Sequence, residues 1–266
     1  MDPNLRHRIN VGHAVVREQV AFFRRQFAHV ESEWKEDKSR VTFADLAISE
    51  KILAELAQYF PEDDLCSEEG DPKAPPRVLK SKYAWFLDPV DGTNNFALGM
   101  PFCAISLGLV KDGVPVYGFL YDYGRDKVLE GGVETGLKDG DATIRAYRAD
   151  RKLEEQSIVG LAFPIRGPYA EGIHKMASDF HVRCMGSGAL TLSYVALGML
   201  DGCMDFRSKS WDVAAALAFA SAAGVKVCYL DKPHFPMAEF DIHQDASPFY
   251  AGTEDFCAVC RNIFGR

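Results

Sequence analysis

The 266-residue sequence has no apolar run near the ~20 residues that cross a bilayer, which argues against a helical membrane span. Its opening, MDPNLRHRIN, lacks the apolar core of a secretion signal. Cations are the minority, with 30 Lys and Arg against 38 Asp and Glu and a net charge of −8. Such a surface repels nucleic-acid backbones and anionic lipid, so neither a nucleic-acid polymer nor a membrane is expected as partner. Cysteine is sparse and odd in number, seven in all, with no disulfide framework spacing. Reduced thiols and a cytoplasmic location are the expectation. Cys257 and Cys260 form one CxxC, but zinc needs two more ligands close by, so packing is the better account. Internal repeats and low-complexity segments are absent as well.

What remains is the profile of a globular protein, 47% hydrophobic and 26% charged. Leu5, Ile9, Val16, Val20, Phe23 and Phe27 share one face of a long first helix. ESEWKEDKSR breaks that pattern and reads as a loop. A second helix starts at Thr42, presents Leu46, Leu53, Leu56 and Phe60, and stops at Pro61. DPKAPPRVLKSK reads as a surface loop. Short apolar runs then alternate with turns: YAWFL, FCAISLGLV, the Asp-Gly turn of KDGV, PVYGFLYDY and KVLEGG, an antiparallel meander. The later chain alternates strands (SIVGLAF, DGCMDF, VKVCYL, SPFYAGT) with helices (YAEGIHKMASDF, GALTLSYVALGML). WDVAAALAFASAAG is apolar nearly all round, so it is expected to be a buried helix with Gly224 just past its end. The fold class is α+β over residues 1–148 and α/β over 149–266, divided in YRADRKLEEQ.

Five carboxylates stand where one element gives way to another. Glu68 and Glu69 follow a short strand in CSEEG, Asp88 ends the YAWFL strand, Asp91 opens the turn after it, and Asp212 starts the buried helix. Ligands gather at strand ends and helix starts. Converging carboxylates repel unless they protonate or a cation neutralises them. All-oxygen ligands suit Mg2+ or Ca2+, with Mn2+ as a substitute, and no His or Cys stands in these motifs to favour zinc. Gly92 and Thr93 open a short helix, TNNFALG, whose N–H groups suit a phosphate. Each piece has a plainer account: turn residues for Asp88 and Asp91, a solvated loop for Glu68 and Glu69, a first-turn acid for Asp212 and a capping box for Thr42 and Asp45. Spacing alone does not bring them together.

VTFAD (41–45), SEEG (67–70), WFLDPVDGTNNF (85–96), GSGAL (186–190) and WDVAAALAFASAAG (211–224), in this order, resemble the inositol monophosphatase family of Mg2+-dependent, lithium-sensitive phosphatases. The resemblance implies a layered α-β-α-β-α sandwich of the sugar phosphatase type, often a homodimer. It implies two or three Mg2+ ions: Glu68, Asp88 and the Val90 carbonyl at the first, Asp88, Asp91 and Asp212 at the second, Glu68 at a weaker third. Gly92 and Thr93 would hold the phosphate, and Thr93 with Asp45 would help deprotonate the attacking water. Gly186, Ser187, Gly188 and Asp205 would line the sugar side, with Arg183 bracing it; Asp205 stands where animal members carry Glu. Lys35 loosely matches a lysine of the family's metal loop. Arg207 and Lys209 read either as a solvated loop or as a basic flank for a second phosphate. The expected substrate is a small polyol or sugar phosphate, inositol monophosphate first. Fructose 1,6-bisphosphate, histidinol phosphate and adenosine 3′,5′-bisphosphate are the alternatives, and a non-catalytic relative is the reading from another class.

Overall fold

The computed structural model describes residues 1–34, 40–140, 142–144, 147–165 and 169–265. Helix α1 (Pro3–Gln26) starts with Pro3 in its first turn, where a missing N–H costs nothing, and the Asp2 side chain accepts from Asn4 N at 3.0 Å. Leu5, Ile9, Val16 and Phe23 on its expected face are buried. A hairpin of β1 (Ser32–Trp34) and β2 (Arg40–Thr42) follows, inside the stretch expected to be loop. Next comes α2 (Phe43–Tyr59), whose Thr42–Asp45 capping box is present as read. Its buried stripe is Ala44, Ile48, Ile52 and Leu56, one residue per turn; of the face expected, Leu56 and Phe60 are buried and Leu53 is partly buried. Leu46 lies two residues, about 200° of rotation, away from Ile48 and is exposed.

The first sheet has seven strands. Strands β3 (Asp64–Ser67), β5 (Tyr83–Asp91), β6 (Ala104–Lys111), β7 (Val114–Asp122), β8 (Lys127–Gly132), β9 (Gly136–Asp139) and β10 (Ala142–Ile144) are ordered β10-β9-β8-β7-β6-β5-β3. β4 (Arg77–Val78) lies outside it and pairs with the later β15 (Glu239–Phe240), so the Pro/Lys-rich loop carries a short strand. The Asp-Gly turn joins β6 to β7, with Asp112 and Gly113 at φ of 50° and 78°, the left-handed pair such a hairpin requires. Strand period shows in β5: Trp85 and Leu87 enter the core beneath α1 and α2, while Ala84 and Phe86 enter the core on the opposite face. Each large apolar side chain so buried contributes about 1.5–3 kcal/mol. Short helix α3 (Thr93–Leu98) connects β5 to β6.

Strands β11 (Ile158–Leu161), β12 (His181–Arg183), β13 (Gly202–Asp205), β14 (Lys226–Tyr229) and β16 (Phe249–Gly252) make a second sheet, ordered β12-β11-β13-β16-β14. Between the sheets lie α5 (Gly188–Ala196) and α6 (Ser210–Ala223), both almost wholly buried. α6 packs so closely on the first sheet that a Cβ built on Gly108 or Gly118 would meet Ala214 or Ala215 at 2.5 Å. Helices α4 (Ala170–Asp179) and α7 (Glu254–Phe264) cover the far face through Ile173, Met176, Phe256, Cys257 and Cys260. The layers therefore alternate as α-β-α-β-α. Cys257 and Cys260 pack as expected: the Cys257 thiol faces the Gly252 carbonyl at 3.6 Å, and burial pushes its pKa up to about 12. Among the described residues no helix is long and apolar enough to cross a membrane.

Candidate metal centre and active site

Asp88 and Asp91 are three residues apart on β5, which in a regular strand would aim them at opposite faces. The strand does not end at Asp88 as expected. It continues to Asp91, and its pairing with β6 shifts register between the two. This bulge re-aims one side chain, so that both aspartates line one cavity of about 220 Å³. Glu68, from the β3 end, and Asp212, from the α6 start, line the same cavity. One carboxylate oxygen each from Glu68, Asp88 and Asp212 lies within 4.8 Å of the others. At that spacing each ionised pair repels by roughly 3 kcal/mol at an effective dielectric of ~20. Burial first, then the neighbouring charge of Glu68, raises the Asp88 and Asp212 carboxyls well above their ordinary range. Three hard oxygen donors that repel one another fit a divalent cation, and no imidazole or thiolate joins them among the described residues.

Asp91 is held differently. Its carboxylate accepts from the Ser187 hydroxyl, from Ala189 N at 2.8 Å and from Gly188 N at 3.2 Å, at the start of α5. Burial lifts its pKa to about 6 against these hydrogen bonds. Two helix starts feed the cavity by one device. Asp45 and Asp212 each sit in a first turn and accept the N–H three residues back, Thr42 N at 2.8 Å and Lys209 N at 2.7 Å. The other Asp45 oxygen accepts from Thr93 Oγ1 at 3.3 Å, and the same hydroxyl lies 2.9 Å from the Val90 carbonyl. Asp45 thus caps and also reaches the site. Burial raises its pKa to about 7.

Gly92, Thr93, Gly186, Ser187, Gly188 and Asp205 line the cavity too. Gly92 precedes α3 at φ 84°, and a Cβ there would meet the Phe102 carbonyl at 2.7 Å, so glycine is required. Asp205 accepts from Arg207 N at 2.7 Å, Ser208 N at 2.9 Å and Ser208 Oγ at 2.6 Å. Arg207 lines the cavity and donates to the Phe163 carbonyl at 2.9 Å. Arg183 is not among the lining residues; exposed at the end of β12, it donates to the Val182 carbonyl. Lys209 is turned to the Gln244 carbonyl. Lys35 lies outside the described residues.

Sequence reasoning missed Arg40, Asn95 and Phe163. Asn95 donates to the Phe102 and Met185 carbonyls at 2.7 and 2.6 Å, tying α3 to the Gly186 turn. Arg40 and Phe163 line the cavity. Asn95 stands within WFLDPVDGTNNF, but no local motif marks Arg40 or Phe163. A larger cavity of about 980 Å³ between α1 and β8, around His13, Arg17 and Glu130, holds none of the acidic cluster.

The model of the inositol monophosphatase family matches residues 8–258. A curated relative from Aquifex aeolicus, named fructose-1,6-bisphosphatase/inositol-1-monophosphatase, is 30% identical over 72% of this chain and 73% of its own. One from Haemophilus influenzae, named Nus factor SuhB, is 31% identical over 76% of each. The solved suhB protein of Bartonella henselae superposes with a TM-score of 0.81 at 23% identity, covering 97% of this chain and 98% of its own. An IMPase/NADP phosphatase solved with NADP and Ca2+ gives 0.80 at 22% identity, over 98% and 96%. By its sequence, this chain belongs to the inositol monophosphatase family.

Proposed function

We propose that the chain is a Mg2+-dependent phosphomonoesterase acting on a small polyol or sugar phosphate, with inositol monophosphate the first candidate. The observation that carries this is the three-oxygen acidic group of Glu68, Asp88 and Asp212 in one cavity with Thr93, whose hydroxyl reaches Asp45 behind it. Glu68, Asp88 and the Val90 carbonyl would hold one ion and Asp88, Asp91 and Asp212 a second; Mn2+ would substitute, and Glu68 would share a weaker third. Bound there, such ions lower the pKa of a water and neutralise charge on the leaving oxygen.

The chain's own groups supply the rest. Thr93 Oγ1 stands between the cavity and Asp45, so a proton taken from water at the hydroxyl can pass to the Asp45 carboxylate. Cations at the neighbouring carboxylates would lower the Asp45 pKa and keep it ionised as acceptor. The Gly92 and Thr93 N–H groups would orient phosphate oxygens. A carboxylate has about four acceptor positions. Three at Asp205 are engaged, which leaves one for a hydroxyl of the leaving alcohol. Gly186, Ser187 and Gly188 would shape that end. Lithium inhibition would follow from competition at the second ion's position, and a homodimer is the proposed assembly, supported by exposed Leu98, Met100 and Phe102.

The test is phosphate release with Mg2+ from inositol 1-phosphate, fructose 1,6-bisphosphate, histidinol phosphate and adenosine 3′,5′-bisphosphate. Turnover of at least one substrate, abolished by chelator, is expected. No release across the panel would overturn the proposal and favour a binding protein, a reading to which the relative named as a Nus factor lends support.

A further inference from the structure

Arg40 combines features that the family's acidic motifs do not explain. It lines the cavity together with Glu68, Asp88 and Thr93. Its guanidinium sits 4.5 Å over the Trp34 ring, and Nη1 donates to Ser32 Oγ at 2.8 Å. Both partners are on the paired strand β1, so the hairpin itself fixes the head group. Yet Nε is buried and makes no hydrogen bond, and among the described residues Arg40 forms no salt bridge, although carboxylates line the same cavity. A buried charged N–H without an acceptor is costly. A head group held by stacking and one hydrogen bond, with a donor left over, suits an acceptor that arrives from outside. Guanidinium favours an oxyanion that can take two donors at once, and phosphate is the best match.

Position says which phosphate. β2 packs against α3 and leads directly into the Thr42–Asp45 cap, which touches Thr93. Arg207 lines the cavity beside Phe163 and Asp205, and among the described residues it makes no hydrogen bond to β2. We propose that Arg40 is a catalytic residue whose guanidinium donates to a non-bridging oxygen of the phosphoryl group being transferred. No bond forms or breaks at Arg40, and it moves no proton; it stays a cation throughout and offsets the negative charge on the phosphoryl oxygens. The inference rests on the phosphomonoesterase reading of the cavity but is separable from it by binding.

The experiment titrates inorganic phosphate into the Mg2+-loaded protein by calorimetry, for wild type, Arg40→Met and Arg40→Lys. Arg40→Met should weaken phosphate at least tenfold. Arg40→Lys, which keeps the charge but loses the fork, should fall between. The affinity for Mg2+ alone should stay within twofold in all three. Kinetics should show kcat/KM falling by one common factor for inositol 1-phosphate and fructose 1,6-bisphosphate. Phosphate affinity within twofold of wild type in Arg40→Met overturns the inference. So does a loss confined to the bisphosphate, which would place Arg40 at the leaving group, or an equal loss of Mg2+, which would make the hairpin a support for the metals. Arg40-dependent phosphate binding in a protein that hydrolyses nothing would sustain this inference while removing the phosphatase reading. Hydrolysis indifferent to Arg40 would do the reverse.

Discussion

Asp212 tests the metal assignment most cleanly, because its structural and chemical duties lie on a carboxylate that can be changed by one atom. One oxygen accepts from Lys209 N at 2.7 Å, and one belongs to the acidic group. Asp212→Asn keeps an oxygen for the cap and removes the charge. Mg2+-dependent turnover should fall by two orders of magnitude or more, while urea unfolding stays within about 1 kcal/mol of wild type, the scale of a cap contribution. Near-wild-type turnover would sink the second-ion role. Thr93→Ala isolates the proton path. It removes the hydroxyl that joins Val90 and Asp45 but leaves the backbone N–H groups. Loss of an aligned general base is worth about 10²–10⁴ in rate. The loss should appear in kcat with KM little changed; a change in KM alone would reassign Thr93 to binding.

At the scale of elements, the close approach of α6 to the first sheet sets a second kind of prediction. A methyl on Gly118 would meet the Ala215 carbonyl at 2.5 Å and the Phe219 ring at 2.8 Å. Overpacking of this kind costs about 1–3 kcal/mol. Gly118→Ala should lower the urea midpoint accordingly, and it should lower activity too, because α6 carries Asp212; an unchanged midpoint would mean that the helix can draw back freely. The burial of α6 was legible in WDVAAALAFASAAG because no face of that segment is polar. The Thr42–Asp45 cap and the KDGV hairpin were legible for the same local reason, since side chain and backbone meet within three residues. The bulge in β5 was not, because DPVDG reads as a turn unless β6 is there to pair past it. Leu46 misled because a periodicity count cannot tell a second apolar edge from the buried one. Arg40 was hidden in a charged stretch, since only the fold brings β2 beside α3.

For the whole molecule the question is how a chain of net charge −8 tolerates its acidic centre, and how it would accept a phosphate dianion. Bound cations answer both, because at short range their field outweighs the distant surface charge. The consequence can be measured without substrate. Burial raises Asp45 to about 7 and Asp91 to about 6, and Asp88 and Asp212 lie well above the ordinary 3.8. From about pH 4 up to those raised values, the metal-free folded chain therefore binds more protons than the unfolded one, and stability falls as pH rises. His234, lowered by burial, works the other way just below 6.5, but it is one group against several raised carboxyls. Mg2+ replaces those protons as the neutralising charge and removes most of the slope. At a hundredfold excess over its Kd, a ligand adds about 2.7 kcal/mol. That corresponds to roughly 5–10 °C in a chain of this length. The shift in melting temperature between chelator and Mg2+ should thus be larger at pH 8 than at pH 5.5, where protons already occupy part of the centre. Equal shifts at the two pH values would mean that the ions bind elsewhere than among Glu68, Asp88 and Asp212.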